Sequence, residues 1–416
     1  MSLQQIIAII IFLCTMGAII TGKVHNTVAS LTGAACLVLT HILSIEDCID
    51  AVDVETICIL VGMMLLVAVI KNSGIFEYIA IKAAKIAKGR PWPIMVIFIL
   101  ITAVCSGMLD NVTTVLLVGP MTLAITNILK VDPVPYIITQ IMASNIGGTA
   151  TLIGDPPNIM IGSAAKLSFV DFILNTGMMA GVSLIFVVLF FYFSFTDESI
   201  AKVMQLDENK AIKDRKLMHE SVIVIILVAL CFIFHDQLGV QSCTVAIAAA
   251  CIMLLIGGQE PEEIIADVEW PTILFFIGLF IVVGGMKKVG VITMLANGLI
   301  SITHGNMVVT MMVILWVSAI VSSFLDNIPF VATLIPMILT MQAEGMDVTP
   351  IWWALSLGAC LGGNGTLIGA SANVVLSGIS KNNGHPITFG QYFKIGFPMM
   401  ILSIIVCSVF LLIRFA

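Results

Sequence analysis

The sequence carries little charge. Only 10% of its 416 residues are Asp, Glu, Lys or Arg, whereas 59% are hydrophobic, and the mean hydropathy is +1.13. A soluble chain of this length cannot bury so much apolar surface in its interior. The composition therefore excludes an ordinary soluble domain and predicts an integral, multi-pass protein in contact with membrane lipid.

Signatures of several other classes are also missing. The ten cysteines form no Cys-x-x-Cys pair and lie mostly within apolar runs, so we interpret them as buried hydrophobic residues. The net charge of −7 is spread over short loops and indicates no nucleic-acid partner. The first apolar run lacks the basic flank and cleavage site of a signal peptide and is expected to stay as a span. We expect no cofactor apart from Na⁺ or H⁺ as a coupling ion.

Long apolar runs are what the sequence has in abundance. Stretches near the ~20 residues that cross hydrocarbon as a helix recur throughout, for example at 6–20, 56–70 and 399–412. They are continuous rather than alternating, which favours helices over a β-barrel. We therefore predict an all-α polytopic membrane protein.

An internal duplication connects the two halves of the chain. A Leu-Asp-Asn motif at 109–111 recurs at 325–327, and a Pro-Met pair begins ten residues after each Asp. A glycine-rich motif at 147–154 recurs at 362–369, and an Asn follows the last Gly of each by four residues. Shared spacing and identity together predict two structural repeats.

The duplication covers most of each half, because its offset stays at 214 to 216 residues from Glu55 and Glu269 onward. Each half offers about five crossings, one re-entrant hairpin around its Asp-Asn pair and one helix unwound at its Gly motif. An odd number of crossings inverts the second repeat relative to the first. The predicted boundaries are 1–195 for the first inverted repeat, 196–220 for a cytoplasmic linker and 221–416 for the second repeat, with hairpins at about 94–129 and 306–342 and broken helices at about 135–165 and 350–380.

The charges of the loops agree with this topology. It puts 14 of the 18 Lys and Arg residues on the cytoplasmic side, as the positive-inside rule requires. Only Lys166, Lys287, Lys288 and Arg414 fall on the opposite side, where both chain ends also lie. The cytoplasmic cations are Lys23, Lys71, Lys82, Lys85, Lys88, Arg90, Lys130, Lys202, Lys210, Lys213, Arg215, Lys216, Lys381 and Lys394.

Three carboxylates interrupt otherwise apolar sequence: Asp110, Asp155 and Asp326. An ionised Asp near the bilayer centre costs at least ~2.5–3.5 kcal/mol. Each hairpin Asp could simply cap the following helix limb by accepting backbone N–H groups. Asn or Ser could cap at a lower cost in charge, so we predict an additional role in binding an ion or carrying a proton.

The glycine-rich segments predict backbone unwound at mid-membrane. Adjacent glycines weaken a helix and expose carbonyl and N–H groups. Asp155 precedes Pro156-Pro157, which suits an N-cap and a restarted helix, whereas the second half has Ala370-Ser371-Ala372 there. Close helix packing through small residues is the alternative for one such motif. Paired interrupted helices favour a binding site instead.

The predicted substrate and ion site gathers polar groups from both repeats, with a possible Na⁺ at Asp110, Asn111, Asp326 and Asn327. Hydroxyl, amide and carboxylate oxygens are hard ligands that suit Na⁺ or proton exchange. No Lys, Arg or His lies in these segments, which favours a cationic or neutral solute over a carboxylate. The site residues are Asp110, Asn111, Thr113, Thr114, Asn145, Gly148, Thr149, Thr151, Asp155, Asn158, Asp326, Asn327, Gly363, Asn364, Thr366, Ser371 and Asn373.

The paired Leu-Asp-Asn motifs and the Gly-Asp-Pro-Pro-Asn string at 154–158 resemble the arsenite permease and NhaD-type sodium/proton antiporter family, in the branch that contains the P protein. This family belongs to the ion transporter superfamily. The resemblance implies a homodimer in which scaffold domains hold elevator-like transport domains. It also implies a small inorganic ion or solute as the partner and, for a prokaryotic chain, the inner membrane. Dicarboxylate carriers of the superfamily have Ser-Asn-Thr at the hairpin tips, where this chain has Asp-Asn.

Several functions remain open from the sequence. A proton-coupled antiporter, for arsenite or antimonite efflux or for Na⁺/H⁺ exchange, accounts for the repeats and the isolated acids together. A Na⁺-coupled di- or tricarboxylate symporter of the same superfamily is the alternative, and an ion channel is a more distant one. An intramembrane aspartyl protease has no reason to be duplicated, so no enzyme activity is expected.

Overall fold

A computed structural model describes residues 2–21, 23–194 and 212–416, without the side chains of Ser194, His235 and Asp236. The described residues form helices and connecting turns with no strand, which confirms the all-α prediction. Most of the linker predicted at 196–220, including Lys202 and Lys210, lies outside the described residues. Its last six residues already belong to a helix that begins at Arg215.

The described residues of the first repeat form eleven α-helices. A π-helical turn, Ile173–Gly177, joins the last two. The helices are α1 (Leu3–Thr21), α2 (Asn26–Leu39), α3 (Ile45–Ala51), α4 (Val54–Lys71), α5 (Ile75–Ile86), α6 (Pro91–Met108), α7 (Asn111–Leu129), α8 (Val134–Thr149), α9 (Pro156–Ala165), α10 (Phe169–Phe172) and α11 (Met178–Ser194).

The second repeat follows the same order. A 3-10 turn, Gly363–Gly365, follows its α19. The helices are α12 (Arg215–Leu238), α13 (Ser242–Gly257), α14 (Pro261–Ala266), α15 (Trp270–Lys288), α16 (Val291–Ile302), α17 (Met307–Phe324), α18 (Asn327–Ala343), α19 (Thr349–Gly362), α20 (Ser371–Asn382) and α21 (Phe389–Phe415).

The two repeats pack reciprocally. Helix α2 packs against α15, and its counterpart α13 packs against α4, the counterpart of α15. Likewise α7 contacts α20, and α18 contacts α9. Such exchanged pairings are what an approximate two-fold relation between inverted repeats produces. We call α2, α4, α13 and α15 the frame, and α6–α9 with α17–α20 the central unit.

Close backbone contact holds the frame together. Gly62 of α4 faces the backbone of Ala246 in α13, where a Cβ atom would lie about 2.7 Å from the Ala246 carbonyl carbon. Its counterpart Gly278 meets the backbone of Ser30 and Leu31 in α2 just as closely. Small residues at such crossings let membrane helices approach, where lipid supplies no hydrophobic drive for association.

Equivalent positions in the two halves of the frame are 216 residues apart, as Gly62 and Gly278 show. The sequence offset of 214 paired Glu55 with Glu269. The structure instead makes Asp53 the counterpart of Glu269, since these two residues are the N-caps of α4 and α15. Each also accepts a hydrogen bond from a Thr hydroxyl three residues later, Thr56 at 2.6 Å and Thr272 at 3.2 Å.

Two amphipathic helices link the frame to the hairpins. These are α5 and α16, and each starts after a glycine with positive φ, Gly74 at 81° and Gly290 at 77°. Glycine adopts this left-handed conformation without steric cost, so the chain turns sharply from span to connector.

Within the described residues, nine helices are long and apolar enough to cross a membrane. They include α6, α7 and α17 of the hairpins, while α2, α13, α16 and α18 are shorter. Length alone does not distinguish a crossing from a re-entrant limb. The tips of both hairpins, at Asn111 and Asn327, line one cavity, so each hairpin ends inside the protein and turns back.

Contacts between loops agree with the predicted sides. Lys71 pairs with Asp267 at 3.7 Å, and both lie at the predicted cytoplasmic end. Lys288 pairs with Asp47 at the opposite end. The nearby Lys288 ammonium lowers the pKa of the Asp47 carboxyl well below its ordinary value, and hydrogen bonds from Ser44 add to this.

Candidate functional site

Both hairpin Asp residues cap the second limb of their hairpin. Asp110 Oδ1 accepts the Thr113 N–H at 2.8 Å, and Asp326 Oδ1 accepts the Ile328 N–H at 3.4 Å. Asp326 Oδ2 also accepts a hydrogen bond from the Ser371 hydroxyl at 2.6 Å. Capping therefore occurs, and it occupies only part of the hydrogen-bonding capacity of each carboxylate.

The Asn after each Gly motif holds the unwound backbone in place. Asn158 Nδ2 donates to the carbonyls of Gly148, Thr149 and Thr151, at 2.9–3.2 Å. Asn373 Nδ2 donates in the same way to Gly363 at 2.7 Å and Thr366 at 2.8 Å. These bonds satisfy carbonyls that the end of a helix leaves without partners.

The oxygens of the same two amides join the repeats. Asn373 Oδ1 accepts from Asn145 Nδ2 at 2.8 Å, and Asn145 Nδ2 also reaches Asn364 Oδ1 at 3.0 Å. In the reverse direction, Asn158 Oδ1 accepts from the Ser356 hydroxyl at 2.7 Å. All of these side chains are buried, so the amide network fixes the two breaks relative to each other.

Asp155 connects the first break to the second hairpin. Its carboxylate is only 1% exposed and accepts two hydrogen bonds from Asn327 Nδ2, at 3.1 and 3.3 Å. The Cys360 thiol of α19 also contacts it. The position equivalent to Asp155 is Ala370, so the arrangement has no counterpart in the other half.

A cavity of about 150 Å³ opens where these elements meet. No Lys, Arg or His is among the described residues of its wall. Three carboxylates and four neutral polar side chains line it, with apolar residues such as Leu60 and Met64 between them. The polar wall consists of Asp110, Asn111, Asp155, Glu269, Thr272, Asn327 and Ser371.

The structure brings only some of the predicted site residues to this cavity. Asp110, Asn111, Asp155, Asn327 and Ser371 line it. Thr113 and Asp326 line the two neighbouring crevices. The remaining predicted residues form or support the helix breaks or are buried within α7: Thr114, Asn145, Gly148, Thr149, Thr151, Asn158, Gly363, Asn364, Thr366 and Asn373.

Two cavity residues, Glu269 and Thr272, are not among the site residues predicted from the sequence. Their signal was an acid followed by Pro and Thr at the start of an apolar run, which is also what an ordinary helix N-terminus looks like. Within the described part of the chain, no three His, Cys, Asp or Glu side chains lie close enough to hold a metal ion. The Na⁺ predicted at the hairpin tips would thus need amide or carbonyl oxygens and stays a prediction.

Two crevices lead from the cavity toward the predicted cytoplasmic end. One of about 350 Å³ shares Thr272 and Ser371 with the cavity and reaches His25. The other, of about 190 Å³, shares Glu269 and extends to Lys71. On the opposite side, a crevice of about 360 Å³ beside Glu55 shares no wall residue with the cavity. The site is therefore open toward the end of the molecule that the sequence predicts to be cytoplasmic.

Comparisons with known proteins agree on a transporter. A family model described as a citrate transporter matches residues 16–358. The chain is 41% identical over 425 residues to an uncharacterized transporter of Mycobacterium tuberculosis, covering 99% of both chains. It is 31% identical over 503 residues to the human P protein, covering 99% of this chain and 60% of the P protein. The crystal structure of the Alcanivorax borkumensis YdaH transporter superposes with a TM-score of 0.60 at 14% identity, covering 85% of this chain and 84% of that one.

Proposed function

The chain belongs to the citrate transporter family of the ion transporter superfamily, and we propose that this membrane transporter exchanges protons for a small cation at the central cavity. The observation that carries the proposal is the charge of the wall. Asp110, Asp155 and Glu269 line the cavity, and no cationic side chain among the described residues faces them. A site built this way attracts cations and repels anions.

The size of the cavity supports a small solute. Its volume of about 150 Å³ lies below the roughly 300–1,000 Å³ of pockets for drug-sized ligands. The amide oxygens of Asn111 and Asn327 and the hydroxyls of Thr272 and Ser371 offer further neutral ligands. Hard oxygen ligands of this kind suit an alkali cation such as Na⁺.

Asp155 is the residue to which we assign proton coupling. It is the most deeply buried carboxylate of the site, and it contacts both a hairpin tip and a helix break. A buried carboxylate is costly unless it is paired or protonated, so it would bind either a proton or the cation, in alternation. This alternation is what obligatory exchange requires.

Transport into proteoliposomes under an imposed pH gradient tests the proposal. Purified protein should drive Na⁺ or Li⁺ against its own gradient, while Asp155→Asn and protein-free vesicles should not. Arsenite, antimonite and citrate belong in the same assay. If no cation is moved against its own gradient, the proposal is wrong. Transport that only follows the solute's own gradient would indicate a channel.

Citrate symport is the second candidate, because the family model carries that description. No fixed cation in the described wall would neutralise a tricarboxylate, so citrate would need co-bound cations in this cavity. Saturable citrate uptake that depends on Na⁺ would favour this candidate over antiport. Neutral arsenite or antimonite, which the sequence resemblance suggests, would use the amide and hydroxyl groups instead.

Assembly and location also belong to the proposal. The elevator-like movement and the homodimer implied by the resemblance fit two reciprocally packed repeats, and we retain both as predictions. Relatives at 41% identity come from mycobacteria, which favours a bacterial inner membrane. Cross-linking in native membranes would test the dimer directly.

A further inference from the structure

Two carboxylates of the frame occupy equivalent places in the inverted repeats. Asp53 caps α4 and accepts from Thr56, while Glu269 precedes α15 and accepts from Thr272. Because the repeats are inverted, these acids lie at opposite ends of the frame. By the predicted topology Glu269 is at the cytoplasmic end and Asp53 at the other.

We propose that Asp53 and Glu269 take turns as the frame carboxylate of the cation site, Glu269 while the cavity faces the cytoplasm and Asp53 while it faces the opposite side. The inference rests on the proposed cation exchange. It goes further by assigning one wall residue of the frame to each orientation of the transporter.

The two acids meet different parts of the central unit in the present structure. Glu269 lines the cavity with Asp110, Asp155 and Ser371, the first residue of α20. Asp53 instead accepts a hydrogen bond from the Ser163 hydroxyl at 3.0 Å. Ser163 lies eight residues after Asp155, near the far end of α9.

The crevices beside these acids show the same difference. The crevice beside Glu269 touches α7, the second limb of the first hairpin, close to the hairpin tip, at Thr113, Leu116 and Leu117. The crevice beside Asp53, of about 250 Å³, touches α18, the second limb of the second hairpin, farther from its tip, from Ala332 to Leu339. Equivalent frame positions therefore contact the central unit at non-equivalent levels.

A displacement of the central unit accounts for this asymmetry. Eight helical residues span about 12 Å at a rise of ~1.5 Å per residue. A shift of that size along α9, away from the cytoplasm, would bring Asp155 to the level of Asp53. The same shift would carry Asp155 away from Glu269, because Asp53 and Glu269 lie at opposite ends of the frame. Each orientation thus pairs the site with one frame carboxylate.

Substrate affinity measured separately at the two membrane faces tests the assignment. Asp53→Asn keeps the helix cap, since Asn caps as well as Asp, and Glu269→Gln keeps an acceptor for Thr272. In sealed vesicles of each orientation, Glu269→Gln should raise the KM for Na⁺ at the cytoplasmic face roughly tenfold, as expected for about 1.4 kcal/mol. Its KM at the other face should stay within about twofold, and Asp53→Asn should show the reverse pattern.

The matched control for Asp53→Asn is Glu46→Gln, an exposed carboxylate of α3, which precedes Asp53. The matched control for Glu269→Gln is Glu262→Gln, an exposed carboxylate of α14, which precedes Glu269. If both test variants raise KM at the same face, or if both behave like the controls while the wild type exchanges cations, this inference is wrong and the proposed function stands. A wild type without pH-driven cation movement would overturn the proposed function and this inference with it.

A cross-link tests the movement without changing the charge of the cavity wall. The double variant Glu55→Cys with Ser163→Cys joins α4 of the frame to α9 where the two side chains now lie 3.4 Å apart, and it leaves Asp53 and Glu269 in place. Its oxidation should stop exchange, and reduction should restore it, with each single variant as control. Undiminished exchange by fully cross-linked protein would contradict the proposed shift.

Discussion

The side-chain amide of Asn327 donates hydrogen bonds to both carboxylate oxygens of Asp155, at 3.1 and 3.3 Å. This contact joins the tip of the second hairpin to the first helix break. In the reverse direction Asn111 has only Ala370 in the place of Asp155, and its amide lies 3.5 Å from Asn145 Oδ1 instead. The backbone of the site therefore follows an approximate two-fold relation, but only the first repeat supplies this carboxylate.

Removing the charge of Asp155 should uncouple transport. Asp155→Asn leaves a side chain of nearly the same size that neither gains nor loses a proton. We expect pH-gradient-driven cation accumulation in proteoliposomes to fall at least about tenfold, which corresponds to roughly 1.4 kcal/mol. Glu262→Gln, an exposed change on α14, should leave it unaltered. Full accumulation by the Asn variant would exclude Asp155 as the coupling residue.

Removing the amide of Asn327 should weaken transport more than removing that of Asn111. Asn327→Ala deprives a carboxylate of two charge-assisted hydrogen bonds, and bonds to charged groups contribute about 1.5–3 kcal/mol. We expect kcat/KM to fall roughly 10- to 100-fold. Asn111→Ala loses one long neutral contact, at 3.5 Å, and should cost less. Equal losses in the two variants would contradict the asymmetry of the site.

Adding a methyl group at a frame crossing should destabilise the protein. In Gly62→Ala the new Cβ would overlap the backbone of Ala246, which cannot move without separating α4 from α13. Overpacking of this kind costs about 1–3 kcal/mol. Gly17→Ala is the control, since no atom lies within 4 Å of its added Cβ. Thermal unfolding in detergent should show a lower midpoint for the first variant only.

Fold and site were accessible from the sequence to different degrees. Apolar runs, the spacing of the Asp-Asn pairs and the glycine motifs were sufficient for the helical class, the duplication and the inversion, because these properties are local or periodic. Glu269 was not recognised as part of the site, since its place depends on how α15 packs beside the opposite hairpin. The division between cavity residues such as Asn327 and supporting residues such as Asn373 depends on tertiary contacts in the same way.

The surface pair between Lys288 and Asp47 should make stability depend on pH and salt. The pKa of Asp47 is lowered in the folded protein, so the pair contributes above the ordinary Asp pKa. That contribution is lost as the pH falls through the lower folded value. Lys288→Met should therefore reduce the unfolding midpoint at neutral pH and low salt, and the difference from wild type should shrink in strong acid or high salt. A difference that is constant with pH would contradict the ion pair.

Substitution of Asn158 separates a supporting role from a ligand role. Its Nδ2 donates to Gly148, Thr149 and Thr151, and its Oδ1 accepts from Ser356. With these bonds made, the side chain has no donor left for a solute and does not line the cavity. Asn158→Ala would leave buried carbonyls unpaired, at about 1–3 kcal/mol for each unsatisfied group.

The expected signature of Asn158→Ala is lower stability with an almost unchanged affinity. The unfolding midpoint and the yield of folded protein should fall, while KM for the transported cation, measured on the folded fraction, should stay within about twofold of wild type. Asn111→Ala provides the contrast, because its side chain lines the cavity and its loss should raise KM with little effect on the midpoint. If Asn158→Ala instead raised KM and left the midpoint unchanged, Asn158 would be a ligand, and the helix breaks would themselves form part of the substrate site.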